Sequence, residues 1–201
     1  MIGADVSHEV RNVLSVIGEY AGLLDDLVGL ADKGRPLDHA KLRNLSTNIA
    51  KQVRRGTETM ERFSRFAHAA DEPLASFDLV ALVENMVALV QRRAALAGCR
   101  VQAEFSPPAI PVRGDPFALQ HLVFSAIQAM LESLEKEEPI RVKVARRGPE
   151  AVLCVSGPAA GGEPSGRISE QLSAAVDKCR ASLETSLADG VLSLVFTIPI
   201  Q

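Results

Sequence analysis

A chain of 201 residues suits one or two domains, and 47% apolar residues supply enough material for a real core. Its net charge of −3 offers no bulk attraction for nucleic acid, and the absence of Trp leaves little for stacking on bases. No apolar run approaches the roughly 20 residues of a membrane span, and no signal peptide is legible before the first helix.

The first element is a predicted helix from about Ala4 to Ala31, with Val6, Val10, Val13, Leu14, Ile17, Ala21, Leu24 and Val28 in steps of three and four. His8 falls about 200° around from Val6 at roughly 3.6 residues per turn, so it should point away from that stripe. Asp5, Glu9, Asn12, Ser15 and Glu19 are expected to share its wet side. Asp32-Lys33-Gly34-Arg35-Pro36 stops the helix, and Asp38 is a plausible N-cap for a second. Leu42, Leu45, Ile49, Val53, Gly56, Met60, Phe63 and Ala67 form the second stripe. Two long helices joined by a short loop make an antiparallel hairpin. A hairpin cannot cover both stripes alone, so a homodimer closing a four-helix bundle is expected. Lys41, Arg43, Lys51, Arg54, Arg55, Arg62 and Arg65 give that helix either a solvated face or a docking surface for an acidic partner.

Asp71-Glu72-Pro73 marks the boundary between residues 1–72 and 73–201. Beyond it, Phe77-Asp78-Leu79 leads into a helix ended by Gly98, and Val101–Phe105 alternates as a strand. After Pro107-Pro108 come an extended Ile110–Val112, then Gly114-Asp115-Pro116 and a helix from about Phe117 to Leu134. Strands are expected at Ile140–Ala145 and Val152–Val155, a loop over Gly157–Gly166 and a helix from about Ser169 to Cys179. A hairpin closes the chain, Ser182–Leu187 and Val191–Ile198 around Asp189-Gly190. Helices alternating with mostly antiparallel strands give an α+β fold, a two-layer sandwich behind the helical hairpin. Cys99, Cys154 and Cys179 are odd in number and widely spaced, as expected of reduced thiols in a cytoplasmic protein.

His8 has three readings: a solvated surface histidine, a zinc ligand, or a nucleophile. Zinc would need a second ligand one turn later, where Asn12 stands. As a nucleophile, a neutral imidazole nitrogen takes a phosphoryl group near neutral pH. Glu9 would then hold the ring or accept its proton, and Asn12 would orient a phosphoryl acceptor or a water.

Ser7-His8-Glu9-Val10-Arg11-Asn12, followed by Val13-Leu14-Ser15-Val16-Ile17, resembles the phospho-accepting box of bacterial two-component histidine kinases. The second part of the chain, with Phe77-Asp78-Leu79, Gly114-Asp115-Pro116, Leu119-Gln120 and Phe196-Thr197-Ile198-Pro199, resembles their ATP-binding domain. The resemblance makes His8 the phospho-acceptor, Glu9 the adjacent acid and Asn12 the residue linked to phosphatase action. It also fails at the nucleotide site. Phe124 and Gln128 stand where asparagines would hold magnesium and phosphates, and Ser156-Gly157 stands where an aspartate would read adenine. Gly161-Gly162 and Pro164–Ser169 lack the pattern of a glycine-rich lid.

What this implies is a degenerate kinase core similar to stand-alone histidine phosphotransferases of the ChpT type. Such a protein would carry phosphoryl groups between response-regulator receiver aspartates through His8, with Arg11, Asn12 and Ser15 touching the phosphoryl group or the receiver. It would bind no cofactor itself, Mg²⁺ coming from the receiver. The alternatives are an ATP-dependent kinase core, a non-enzymatic pseudokinase scaffold and a phosphatase using Glu9 and Asn12.

Overall fold

The computed structural model describes residues 2–71, 73–133, 138–159 and 165–200. The chain divides into two units, Met1–Ser64 and Arg65–Gln201. Glu72, Leu134, Gly161-Gly162 and Pro164, which figure in the expectations above, lie outside the described residues.

Helix α1 (Ile2–Asp32) ends where Gly34 takes φ +84°, a backbone that favours glycine. The Gly34 amide bonds to Ala31 O at 2.8 Å and the Arg35 amide to Leu30 O at 3.1 Å, which satisfies the last carbonyls in a Schellman motif. Helix α2 (His39–His68) starts at Asp38, whose Oδ1 accepts from the amides of Ala40 at 3.0 Å and Lys41 at 3.1 Å. The two helices approach closely where Gly56 meets Val13. A Cβ added at Gly56 would sit 3.1 Å from Val13 Cγ1.

One partner covers only part of each stripe. Val6 and Val13 are buried, but Leu14 is 62% exposed, Val28 51% and Val53 50%. None of the described residues of α2 is buried.

In the second unit, β1 (Ala75–Asp78) pairs antiparallel with β3 (Pro111–Gly114) as a small separate sheet. The strand at Ala75–Asp78, not expected from its residues, exists through this pairing with a distant segment. Asp78 joins the sheet to the helix that follows. Its Oδ1 accepts from Val80 N at 3.0 Å, capping α3 (Leu79–Leu96), and from Ile110 N at 2.8 Å. Replacing Asp78 with Ala strands both amides. The expected cost is about 2 kcal/mol, read as a melting temperature roughly 4–8 °C lower by calorimetry.

The main sheet runs in the order β2-β4-β5-β7-β6, made of β2 (Arg100–Ser106), β4 (Pro139–Arg147), β5 (Glu150–Pro158), β6 (Ser182–Ala188) and β7 (Val191–Pro199). β2 and β4 are parallel, connected through α4 (Pro116–Ser133), and the other neighbours are antiparallel. Period-two alternation buries one face: Ile140, Val142 and Val144 on β4, Leu153 and Val155 on β5, Leu194 and Phe196 on β7. Helices α3, α4 and α5 (Ser165–Lys178) form the second layer, so the α+β two-layer sandwich is as expected. Asp189 at φ 50° and Gly190 at φ 74° make the tight turn between β6 and β7.

The expected loop over Gly157–Gly166 is shorter at both ends. β5 continues through Gly157 and Pro158, which pair with Leu192 and Val191, and α5 already begins at Ser165. Proline survives there because the ladder needs no donor from every residue.

All three cysteines are free thiols. Burial, with Asp115 adding to it and Lys178 opposing, pushes the Cys179 thiol from an ordinary 9.0 up to about 12. A raised folded value favours the protonated thiol, so its contribution to stability is complete below pH 9 and is lost as pH rises towards 12. Melting temperatures recorded from pH 8 to 11 should therefore fall more steeply for the wild type than for Cys179→Ala.

Candidate functional site

His8 is exposed on α1, and Arg11, Asn12 and Ser15 are exposed with it. Steps of three, four and seven place these side chains along one helix face; of the wet side read from spacing, Asn12, Ser15 and Glu19 are exposed with His8, whereas Asp5 and Glu9 are half-buried. The Ser7 hydroxyl, next to His8, turns back and donates to Gly3 O at 2.8 Å. Imidazole, guanidinium, carboxamide and hydroxyl thus line one open surface. That set offers a nucleophilic nitrogen and donors for a doubly charged group.

Glu9 departs from the expectation. Rather than standing on the wet side with His8, it forms an ion pair with Arg55 of α2, and only 15% of its side chain is exposed. The reason is angular: one residue is about 100° of helix, enough to turn Glu9 towards the neighbouring helix. Arg55, 54% exposed, holds a carboxylate beside the histidine. The sequence offered no signal for it beyond a basic α2, because the pairing joins residues far apart in the chain.

The positions read as a nucleotide site have other engagements. Arg93, reaching from α3, lies 5.7 Å from the centre of the Phe124 ring and donates to Gln128 Oε1 at 2.8 Å. Gln128 Nε2 in turn donates to Glu132 Oε1 at 2.9 Å. Ser156 and Gly157 sit inside β5, paired with Ser193 and Leu192 of β7. By strand alternation Ser156 is on the face opposite buried Val155, with Cys154, whose thiol it hydrogen-bonds. Burial outweighs that bond and raises the Cys154 thiol. Phe124 and Gln128 therefore look towards α3, and Ser156 towards the outer face of the sheet. No group of three His, Cys, Asp or Glu side chains able to hold a metal occurs among the described residues. No helix among them is long and apolar enough to cross a membrane.

No family model matches this chain, and no curated protein does. Solved structures do match. The catalytic domain of the histidine kinase ThkA aligns with a TM-score of 0.58 at 13% identity, over 64% of this chain and 98% of that one. The Acinetobacter baumannii histidine kinase AdeS aligns with a TM-score of 0.56 at 13% identity, over 96% of this chain and 98% of that one. ThkA in complex with the response regulator protein TrrA aligns at 0.56 and 16% identity, over 99% of this chain and 61% of that one. A helical hairpin followed by this α+β domain is a histidine-kinase-like fold. Identities this low establish the fold, and the chemistry has to be argued from residues.

Proposed function

We propose that this chain is a phosphorelay histidine phosphotransferase that works through His8 and does not use ATP. The observation that carries this is the open strip His8, Arg11, Asn12 and Ser15 on a helical hairpin of kinase-like fold. An aspartyl phosphate on a response-regulator receiver would meet the neutral imidazole there. The phosphorus–oxygen bond breaks, the carboxylate leaves with its electron pair, and a phosphorus–nitrogen bond forms at His8. Arg11, Asn12 and Ser15 would touch the transferring group or the receiver. Glu9, braced by Arg55, would favour the developing positive charge on the ring. The receiver brings the Mg²⁺, which offsets the charge on the phosphoryl oxygens. ThkA, one of the structural neighbours, has been solved with a response regulator, which supports this class of partner.

The donor set at Phe124, Gln128, Ser156 and Gly157 does not fit Mg-ATP. Phenylalanine coordinates nothing, the Gln128 amide is bonded to Arg93 and Glu132, and Ser156 faces away. The exposed apolar residues Leu14, Val28, Val53 and Met60 support a homodimer in which two hairpins complete a four-helix bundle.

Purified protein mixed with a phosphorylated receiver should gain acid-labile phosphate at His8 while the receiver loses it. Calorimetry with Mg-ATP at millimolar concentration should record no saturable heat. Saturable binding followed by labelling of His8 from ATP would replace this proposal with a kinase core. A receiver complex indifferent to His8→Ala, with no phosphohistidine formed, would leave only a scaffold.

A further inference from the structure

A cavity of 310 Å³ opens in the second unit where β3 ends and α4 begins, beside the end of α5. Its walls carry three cations, Arg113, Lys178 and Arg180, against one acid, Asp115. Val112, Leu119 and Ile198, all buried, supply an apolar floor. Asp115 Oδ1 accepts from Ala118 N at 2.9 Å and so caps α4 itself, which leaves the three side chains as the source of positive potential. The cleft is separate from the positions read above as a nucleotide site. None of Phe124, Gln128, Ser156 and Gly157 lines it, and Gln128 lies nine residues beyond Leu119 on α4, roughly 14 Å at 1.5 Å per residue.

Arg180 adds a second observation. It occupies a left-handed backbone at φ 51°, just past the end of α5, with its amide bonded to Asp177 O at 3.1 Å. Glycine ordinarily takes that position, because a side chain there costs on the order of 1 kcal/mol. Lys178 is explained by its place in the last turn of α5, where a cation meets the helix dipole. Arg180 has no such explanation, yet it is one of the residues that line the cleft.

We propose that this cleft binds a small organic anion, a phosphate ester or carboxylate carried on an apolar body of about one ring. The volume is at the lower end of the roughly 300–1,000 Å³ typical of small-molecule sites. A net excess of two positive charges over an apolar floor selects a ligand with a charged head and a greasy body. This proposal does not rest on His8 and needs no phosphoryl chemistry.

The test is a titration of the ¹⁵N-labelled full chain by NMR with phenyl phosphate, benzoate and neutral benzyl alcohol. The amides of Gly114, Cys179 and Arg180 should shift saturably with one or both anions. The double variant Arg113→Gln/Arg180→Gly should bind at least tenfold more weakly, and Arg180→Gly suits the left-handed backbone, so folding is retained. Phenyl phosphate ahead of benzoate assigns the site to phosphate esters, and the reverse order assigns it to carboxylates. Equal binding by benzyl alcohol, shifts centred on Gln128 or Ser156, an unaffected double variant, or no saturable shift would each overturn the proposal.

Discussion

His8→Gln should abolish phosphoryl transfer, with a loss of at least about a thousandfold in rate, because no other group on the strip can replace a covalent nucleophile. Glutamine keeps the length and polarity of the side chain, and position 8 is exposed, so the fold should melt within about 1 °C of the wild type. The measurement is a time course of radiolabelled receiver with each protein, alongside a calorimetric scan. Transfer that persists in the variant would move the chemistry to another residue and end the proposal. Asn12 and Arg11 should behave differently. Their truncation removes contacts to the phosphoryl group and not the nucleophile, so transfer should slow by roughly tenfold to a hundredfold per side chain.

The second large effect concerns assembly. Leu14, 62% exposed, and Val53, 50% exposed, each lie within about one helical turn of the contact between Val13 and Gly56. The double variant Leu14→Glu/Val53→Glu should convert a dimer into a monomer. A symmetric dimer would gather four new carboxylates in its interface. Burying even one unpaired charge costs several kcal/mol, or more than a hundredfold in dissociation constant. Light scattering should give about 43 kDa for the wild type, twice the 21.5 kDa of one chain, and a single-chain mass for the variant. A wild type that is already monomeric at tens of micromolar would refute the dimer. His8 lies on the same helix, so transfer by the monomeric variant also reports whether one hairpin suffices for chemistry.

Much of this was legible because it is local. The 3.6-residue period placed His8, Asn12 and Ser15 on one exposed face, and nothing beyond the helix itself was needed. Gly34 and Asp38 end and begin their helices through bonds to residues at most five positions away. Asp189-Gly190 turns the last hairpin through its own backbone angles. Alternation along β4, β5 and β7 made the α+β sandwich readable as well.

Other features depended on which distant segments meet. Glu9 shares a sequence neighbourhood with His8, but Arg55 across the hairpin decides that it leaves the open face. Ala75–Asp78 has no strand signal of its own and becomes β1 only beside β3. The direction of β2 against β4 is equally silent in the residues, because parallel pairing is chosen by the helix that crosses between them. Phe124 and Gln128 read as vacancies in a family pattern, while the structure ties both to Arg93 of α3.

By itself, then, the order of residues determined most of the elements, the outward face of α1 that carries His8 and the class of fold, since each follows from periodicity or from bonds within a turn or two. Only the tertiary structure decided that Glu9 turns to Arg55, what occupies the α4 face, and that three cations converge on one cleft. Those are pairings between segments far apart in the chain, and a linear pattern carries no distance between them.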